Sequence, residues 1–410
     1  MIMNRCRFCG EPLQREFIDL GVTPRSNAYL TADHLERREL FYPLRALICE
    51  QCLLVQLPAF ETPEQLFGDY AYFSSFSESW LRHAEKYAHM ALARFGLDGN
   101  ALVMEIASND GYLLRFFRER GIPVLGVEPA ANVAGAAEAD GIPTLVRFFG
   151  TDTAEYLIRE GRRADLLVGN NVLAHVPDLN DFVAGMKRVL KPGGAITMEF
   201  PHLVRLIEEN QFDTIYHEHF SYFSFYTVQQ VFTRHGLTIY DVEELASHGG
   251  SLRIFACRSD DPDKSISRAV NDLNRRERSG GYDRVGTYGA FQERARRVKR
   301  ELLTFLIGAR EEGRVVVGYG APAKGNTLLN YCGVRTDLLD YTVDISPHKQ
   351  GLFLPGTRIP IHGPERIRET RPDYVLILPW NLRREIMAQL DWIREWGARF
   401  VVPIPQLEIL

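Results

Sequence analysis

The sequence predicts an α/β protein with two parallel sheets and a small cysteine-rich module near its N-terminal end. Short apolar strands alternate with helix-like segments from residue 101 to 200, and a second alternation runs from residue 314 to 403. Two Cys-x-x-Cys pairs precede both regions. Such alternation is typical of parallel sheets with helices packed on their faces. A chain of 410 residues also exceeds one ordinary core, so we expect two or three domains.

The overall composition indicates a soluble globular protein, with 45% hydrophobic and 25% charged residues. No apolar run approaches the ~18 residues that a membrane span needs, and the first residues lack a secretory signal pattern. We therefore expect a cytoplasmic location and no membrane partner. The net charge of -5 disfavours a nucleic-acid partner, because phosphate binding normally requires a basic stripe.

The four N-terminal cysteines Cys6, Cys9, Cys49 and Cys52 predict one structural zinc ion. Each Cys-x-x-Cys turn presents two thiolates to a tetrahedral ion, and two turns complete a closed shell without an open position for water. The residues between the pairs exceed the usual spacing of a short zinc ribbon, so an inserted segment must loop out. Such an ion stabilises a domain with too small a core to fold alone.

Two polar or aromatic segments in this region have open interpretations. The segment 19–29 is polar and turn-rich, and we expect it to face a ligand cleft. The segment 69–78 combines aromatic and hydroxyl side chains. It forms either a lip of a binding site or a linker that packs on the next domain.

The clearest α/β pattern begins after this segment. Its predicted elements are a helix at 80–95, a strand at 101–107, a turn at 108–111, a helix at 112–120 and a strand at 124–128. Ligands of such sheets bind beyond the carboxyl ends of the strands. The turn lacks the GxGxxG of dinucleotide folds, so a pyrophosphate site is not indicated. Glu128 ends the second strand, where it can accept hydrogen bonds from ribose hydroxyls.

The next segments extend the pattern with a strand at 164–169, the run Asn-Asn-Val-Leu-Ala-His-Val-Pro at 170–177, a helix from Leu179 and Leu-Lys-Pro-Gly-Gly before a strand ending at Phe200. This order resembles the class I S-adenosylmethionine-dependent methyltransferases, which have a Rossmann-like core. The resemblance implies S-adenosylmethionine as cofactor. It places the following residues at the cofactor: Glu105, Ala107, Asn109, Asp110, Gly111, Glu128, Asn170 and Asn171.

A cluster of proton-carrying side chains, Tyr216-His217-Glu218-His219, follows the fifth strand of this region. A helix at 227–235, capped by Thr227, and two strands at 237–245 and 251–258 complete the predicted sheet. The cluster therefore lies in an insertion at the carboxyl rim of the sheet. Histidine, tyrosine and carboxylate are the groups that general acid–base chemistry uses.

The C-terminal part repeats the α/β pattern after a charged, helical connector. A strand at 314–320 leads into Ala-Pro-Ala-Lys-Gly-Asn-Thr, and later strands are predicted at 338–343, 374–378 and 400–403. The glycine turn and helix start offer backbone N–H groups and Lys324 to an anion. The alternative is a turn whose glycines serve packing only.

Together these motifs resemble the three-domain sugar C-methyltransferases, which methylate C3 of nucleotide-linked 4-keto deoxysugars in antibiotic and surface-glycan pathways. The resemblance covers essentially the whole chain and includes the C-terminal motifs at 343–351 and 354–360. It implies a zinc-binding domain at 1–68, a methyltransferase domain at 69–260, and a helical connector with a second Rossmann-like α/β domain at 261–410. The last domain is expected to contribute to nucleotide-sugar binding.

The resemblance also implies the chemistry of the cluster. A proton next to a ketone is acidic enough for a positioned base to remove, and His219 is the preferred base, with Tyr216 second. Tyr216 could equally polarise the enolate oxygen, and Glu218 would orient His219. The methyl of the cofactor is already electrophilic, so catalysis is chiefly proton removal plus in-line placement, and no catalytic metal is needed. His217 would point away if the segment is extended.

The expected substrate contacts are Tyr72, Ser75, His175, His248, Lys324 and Asn326, with packing or surface roles as the alternative. We expect a monomer and favour thymidine diphosphate over guanosine diphosphate as the sugar carrier. Two other functions compete with this one. The core could methylate oxygen or nitrogen instead of carbon, or the zinc module could dock nucleic acid or protein.

Overall fold

The computed structural model describes residues 5–68 and 73–410, which form two compact units interleaved along the chain. The first unit contains the described parts of Met1–Gln14 and Cys49–His202, together with Phe220–Arg284. The second unit contains Arg15–Ile48, Leu203–His219 and Val285–Leu410. The sequence division into consecutive domains therefore differs from these units: the insert between the cysteine pairs and the segment after the fifth strand both belong with the C-terminal part.

The strands are, in chain order, β1 Arg15–Thr23, β2 Tyr42–Ile48, β3 Val55–Gln56, β4 Val103–Ile106, β5 Val124–Val127, β6 Thr144–Leu145, β7 Ala164–Asn170, β8 Leu190–Pro201, β9 Ser221–Tyr222, β10 Leu237–Leu245, β11 Ser251–Arg258, β12 Val316–Tyr319, β13 Thr342–Val343, β14 Ile361–His362, β15 Tyr374–Ile377, β16 Arg399–Val402 and β17 Glu408–Ile409.

The α-helices are α1 Pro63–Phe67, α2 Glu78–Phe95, α3 Leu114–Arg118, α4 Ala131–Ala139, α5 Thr151–Arg159, α6 Leu179–Val189, α7 Leu203–Glu208, α8 Phe225–Arg234, α9 Arg268–Ser279, α10 Phe291–Glu311, α11 Ala323–Cys332, α12 Arg366–Thr370 and α13 Arg383–Gln389. No helix within the described ranges is both long and apolar enough to cross a membrane.

The first unit is built on a seven-stranded sheet of order β10-β11-β8-β7-β4-β5-β6. The strands from β8 to β6 are parallel, whereas β11 runs antiparallel to both β8 and β10. This arrangement confirms the predicted parallel sheet and its closing hairpin. The connections reverse direction between β4 and β7, and ligands of such sheets bind at the carboxyl ends of the strands beside this point.

Helix α8 begins earlier than the sequence indicates. Ser224, not Thr227, is the N-cap, and its hydroxyl accepts a hydrogen bond from the Thr227 backbone N–H at 3.2 Å. The buried Glu277 carboxylate also accepts bonds from the N–H groups of Phe225 and Tyr226, both at 2.8 Å. These acceptors satisfy the first N–H groups of the helix, so the extra turn is stable.

The cysteine module is packed into the core of the first unit. Phe8 and the buried cysteines belong to the same apolar cluster as the strands of the large sheet. The Asn180 amide in α6 donates to the carbonyls of Arg7 and Phe8 at 3.1 and 3.0 Å. The Thr227 hydroxyl in α8 donates to the Cys52 carbonyl at 3.2 Å. The two cysteine turns are thereby joined to two helices of the large sheet.

The second unit contains a six-stranded sheet of order β14-β13-β12-β15-β16-β17, parallel except for β17. The strands β1 and β2 form an antiparallel ribbon with two irregularities in register. Phe17 of β1 stacks on Phe291 of α10 with ring centroids 4.9 Å apart. The prediction of a polar, turn-rich segment from Asp19 is corrected in part, because β1 continues to Thr23 and buries Leu20, whereas Val22 is exposed.

Candidate functional site

The four N-terminal cysteines converge as the sequence predicts. Their sulfur atoms all lie within 4.8 Å of one another, with Cys6 to Cys52 at 3.5 Å and Cys9 to Cys49 at 3.4 Å. Bonds of about 2.3 Å in a tetrahedral zinc site separate the sulfurs by roughly 3.8 Å. The Gln56 amide donates to the Cys6 sulfur at 3.2 Å, as expected of a partner to a thiolate. The donor set therefore fits a closed structural zinc site.

The turn after β4 has an unusual backbone that the sequence does not reveal. Ala107, Asn109 and Gly111 have positive φ values of 56°, 52° and 75°. Such a conformation is strained for residues other than glycine, and this kind of strain is concentrated at functional sites. Two of these three left-handed positions are not glycine. A search for a glycine-rich motif in the sequence therefore does not find this turn.

Buried polar atoms around this turn remain available to a ligand. The Ser108 hydroxyl, Asp110 Oδ1 and Asn171 Oδ1 are buried and have no hydrogen-bond partner among the described residues. Unpaired buried polar atoms are costly and rare in folded proteins. The hydroxyl, amino and carboxylate groups of S-adenosylmethionine would satisfy such atoms, so the residues present fit this cofactor.

Glu128 lies where the sequence places it, at the end of β5. Its two carboxylate oxygens accept hydrogen bonds from the backbone N–H groups of Asn109 and Ala130, at 3.0 and 2.9 Å. Burial raises the pKa of Glu128, and these two bonds oppose the rise. Glu105 is fully buried in the neighbouring strand β4, and burial raises its pKa well above the usual range. Carboxylate oxygens have further lone pairs, so Glu128 retains acceptor capacity for a ribose.

Asn170, the last residue of β7, and Asn171, which follows it, both hydrogen-bond to other side chains of the first unit. The Asn170 amide donates to the Tyr112 hydroxyl at 3.2 Å. The Asn171 amide lies 2.9 Å from His248 Nε2, and both residues have a φ of 54°. His248 therefore lies beside Asn171, which the sequence predicts to contact the cofactor, within the first unit.

A buried ionic network beside His248 was not foreseen. Glu199, fully buried at the end of β8, contacts Arg253 at 2.7 Å, His83 at 2.9 Å and the Ser247 hydroxyl at 2.7 Å. Burial alone would raise the pKa of Glu199, but the His83 bond, the Arg253 charge and the Ser247 bond outweigh it and lower the pKa to about 2. Because Ser247 precedes His248, this network also anchors the loop that carries His248.

The acid–base cluster lies in the second unit and is a turn, not an extended segment. The His219 N–H donates to the Tyr216 carbonyl at 2.9 Å, and the two rings lie 4.0 Å apart between centroids. The alternation argument for His217 therefore does not apply. His217 instead lies 3.2 Å from the Pro43 carbonyl through Nε2 and packs edge-on against Tyr42.

The protonation of His219 follows from its backbone partner. Its Nδ1 lies 2.9 Å from the Thr214 carbonyl oxygen. A carbonyl oxygen only accepts, so Nδ1 carries the proton, and in the neutral ring Nε2 carries the lone pair. His219 is therefore in the tautomer in which Nε2 acts as a base.

Glu218 has a different partner from the one expected. Both of its carboxylate oxygens accept from the Asn27 amide, at 2.8 and 3.0 Å. Burial raises the pKa of Glu218 to about 7, although the Asn27 bond and the Arg25 charge lower it. The contact that orients His219 through Nδ1 is the Thr214 carbonyl. That Glu218 also orients His219 stays a prediction.

The remaining predicted substrate residues are dispersed. Tyr72 lies outside the described residues. The Ser75 backbone N–H donates to Asp110 Oδ2 at 3.1 Å, which brings the aromatic segment to the cofactor turn. His175 packs edge-on against Phe67 at 5.7 Å, also in the first unit.

In the second unit, Lys324 is half-buried and donates to Asn381 at 2.8 Å. The Asn326 amide is buried and donates to the Ser26 carbonyl at 2.6 Å. Asn326 thus already has a structural partner in the segment that precedes Asn27.

Sequence reasoning missed Asn27, Thr214 and the Glu199 network. Asn27 lies in the segment 19–29, which the sequence predicts to face a ligand cleft, but nothing in the sequence singles out Asn27 within it. Thr214 acts through its backbone carbonyl, which any residue type could supply. The partners of Glu199 are distant in sequence, so no local pattern marks them.

Three family models match the chain: a zinc binding domain over residues 6–67, a methyltransferase domain over residues 80–242 and a C-methyltransferase C-terminal domain over residues 246–405. C-methyltransferase NovU of Streptomyces niveus is 37% identical over 408 residues, which span 100% of this chain and 97% of that protein. A ubiquinone biosynthesis O-methyltransferase of Bartonella tribocorum is 29% identical over 96 residues, covering 23% of this chain and 39% of that protein.

Among solved structures, PH0226 protein from Pyrococcus horikoshii OT3 matches 49% of this chain and 100% of its own, with 15% identity and a TM-score of 0.37. Magnesium protoporphyrin IX methyltransferase from Synechocystis PCC 6803 with bound S-adenosylmethionine matches 48% of this chain and 89% of its own, with 14% identity and a TM-score of 0.34.

The full-length relative and the three consecutive family models agree with the geometry of the two cofactor sites. S-adenosylmethionine and a structural zinc ion are the cofactors of this protein, and its core has the class I methyltransferase fold. The chain belongs to the C-methyltransferase family.

Proposed function

We propose that the protein methylates C3 of a nucleotide-linked 4-keto deoxysugar, with His219 as the base that removes the C3 proton. The observation that supports this role is the bond from His219 Nδ1 to the Thr214 carbonyl, because it leaves Nε2 free of a proton. The sugar and its nucleotide come from the resemblance of the Tyr216–Ser224 and C-terminal motifs to sugar C-methyltransferases.

The proton-transfer step uses groups of this chain. Nε2 of His219 takes the C3 proton, the C–H electron pair forms a C3–C4 double bond, and the former C4 ketone becomes an enolate oxygen. Tyr216 is half-buried beside His219, and its phenol O–H is a suitable donor to that oxygen. S-adenosylmethionine supplies, when bound, an electrophilic methyl group. The enolate carbon would accept this methyl group, with S-adenosylhomocysteine as the leaving group.

A ketone at C4 is the chemical reason for carbon methylation. It acidifies hydrogens only on the two neighbouring ring carbons, C3 and C5. Methylation of oxygen or nitrogen needs no such ketone and no carbon-bound proton to be removed. Exchange of a ring hydrogen with solvent therefore separates the two classes of reaction and identifies the carbon.

The test is incubation in heavy water of the protein with a thymidine diphosphate-linked 4-keto-6-deoxyhexose and S-adenosylhomocysteine, followed by proton NMR of the sugar. We expect deuterium at C3. His219→Asn should slow this exchange by about 100-fold or more, since a positioned base contributes on the order of 100- to 10,000-fold. Tyr216→Phe should slow it less, and the exposed His34→Asn should leave it unchanged.

Three outcomes would contradict parts of the proposal. Exchange confined to C5 would overturn the position on the ring. Product methylated on oxygen or nitrogen, without exchange at carbon, would overturn the reaction class. Near-normal turnover of His219→Asn, with unchanged S-adenosylmethionine binding by calorimetry, would overturn His219 as the base.

A further inference from the structure

We propose that Asp213 and Trp380 are positioning residues of the reaction, because their hydrogen bond holds the turn whose Thr214 carbonyl orients His219. The inference rests on the proposed role of His219 as base. Under this proposal, the C-terminal α/β part has a second role beside the expected nucleotide-sugar binding. It fixes the tautomer of His219.

The carboxylate of Asp213 is fully buried in the 3₁₀ turn Phe212–Thr214. Its Oδ2 accepts from the indole N–H of Trp380 at 2.7 Å, and Trp380 is itself buried directly after β15. A buried carboxylate is costly unless it is hydrogen-bonded. The bond from Trp380 therefore offsets part of the cost of burying Asp213 and fixes the position of the turn relative to the end of β15.

The same turn is held again by the neighbouring helix α11. The Thr327 hydroxyl donates to the Ile215 carbonyl at 3.2 Å. Between these two anchors lies Thr214, whose carbonyl accepts from His219 Nδ1 at 2.9 Å. The direction of that carbonyl is thus set by the residues on either side of it.

The charges that face Asp213 come from α11. The ammonium of Lys324 lies 4.5 Å from the centroid of the Trp380 ring and interacts electrostatically with Asp213, and the Cys332 thiol also faces it. Burial raises the pKa of Asp213 to about 6, and the Lys324 charge and the Trp380 bond oppose the rise. The carboxylate is therefore ionised at neutral pH, and an ionised acceptor strengthens the bond to Trp380.

The experiment compares Trp380→Phe with Trp396→Phe in the full-length zinc-loaded protein. Trp396 donates an equivalent bond to the Pro372 carbonyl at 3.0 Å, away from the turn, and is the matched control. Long-range proton–nitrogen NMR with labelled histidine reports which ring nitrogen of His219 carries the proton. The resonance is assigned by its loss in His219→Asn. Turnover is followed with the thymidine diphosphate-linked 4-keto-6-deoxyhexose.

In Trp380→Phe we expect that His219 no longer favours the tautomer protonated at Nδ1. We also expect kcat to fall tenfold or more, while KM for S-adenosylmethionine stays within twofold of the wild-type value. Asp213→Asn keeps an oxygen that accepts from Trp380, so it should retain the tautomer and more of the activity. Trp396→Phe should match the wild type in both readouts.

Unchanged His219 tautomer and kcat within twofold in Trp380→Phe would overturn the inference. So would a fall in activity that matches the unfolded fraction, measured by circular dichroism, while the folded molecules keep the wild-type tautomer. Near-normal turnover of His219→Asn is a different result, because it removes the base on which both proposals depend.

Discussion

Two histidines that are close in sequence, His217 and His219, differ in which ring nitrogen carries the proton, because they contact different backbone carbonyls. His217 and His219 are two residues apart, yet the first contacts the Pro43 carbonyl through Nε2 and the second contacts the Thr214 carbonyl through Nδ1. The ring nitrogen that faces a carbonyl must carry the proton. The two histidines therefore have opposite tautomers when neutral, and only His219 is left with a basic Nε2.

Glu218 gives a prediction for stability against pH. Its pKa of about 7 lies above the value of about 4.3 for an exposed glutamate, so the folded state binds this proton more tightly than the unfolded chain does. That contribution to stability is complete below about pH 4.3 and is lost as the pH rises through about 7. Glu218→Gln should therefore raise the free energy of unfolding relative to wild type by roughly 1–3 kcal/mol at pH 8, and by less at pH 5.

The measurement is urea denaturation of both proteins at pH 5 and pH 8. The exposed Glu395→Gln is the matched control, and we expect it to leave the pH dependence unchanged. Equal effects of Glu218→Gln at the two pH values would show that the buried carboxyl does not change its protonation in this range.

At the scale of elements, short segments are stabilised by partners outside themselves. The cysteine turns have little local structure, but their sulfurs converge and their carbonyls accept bonds from α6 and α8. The turn after β4 is likewise held in a left-handed backbone by Glu128 and by the segment that contains Ser75. Both features connect a cofactor site to the large sheet.

Removal of the zinc site should destabilise the first unit as a whole. We expect Cys49→Ser to lose the zinc, about one ion per chain in the wild type, and to lower the melting temperature by roughly 5–10 °C, because metal binding free energy is folding free energy. Zinc content by mass spectrometry and thermal melting by circular dichroism are the measurements. Chelation of the wild type should have the same effect.

Cys257→Ser is the matched control, since Cys257 is also buried but lies outside the four-sulfur group. It should keep its zinc. A Cys49→Ser protein with full zinc content and an unchanged melting temperature would contradict the structural role of the site.

At the scale of the whole molecule, the two units share one chain that passes between them several times. The ribbon β1–β2 and the segment 203–219, which contains the predicted acid–base cluster, both belong to the unit of the C-terminal sheet. Phe17 of the ribbon packs on Tyr288 and Phe291, which lie far along the chain. The second unit therefore requires residues from three separate parts of the sequence.

Truncation after Arg284 should therefore not yield a well-folded two-domain protein. The chain 1–284 retains β1 and its buried residues Phe17, Ile18 and Leu20 but lacks the helices α10 and α11, which contact β1. We expect strong binding of the dye ANS and aggregation in size-exclusion chromatography. A chain of 1–407, which lacks only the short edge strand β17 and the residue after it, should remain monodisperse. A monodisperse, dye-free 1–284 protein would contradict this account.

The sequence alone determines the parallel sheet of the methyltransferase core, its closing hairpin and the zinc ligands. Strands such as β10 and β11 can be read from short local runs rich in apolar and β-branched residues, and two Cys-x-x-Cys pairs supply the four ligands of a tetrahedral site. The same local reasoning places Glu128 at the end of a strand, because an acid that follows an apolar run can be read without knowledge of distant residues.

Only the tertiary structure decides how the chain is divided and which ring nitrogen of His219 carries the proton. The partner of Glu218 and the carboxylate that accepts from the first N–H groups of α8 both come from residues distant in sequence. The tautomer of His219 depends on a backbone carbonyl, and the ionisation of Asp213 depends on burial beside Trp380. Hydrogen bonds to the backbone and burial are properties of the folded chain, so no pattern of residue types encodes them locally.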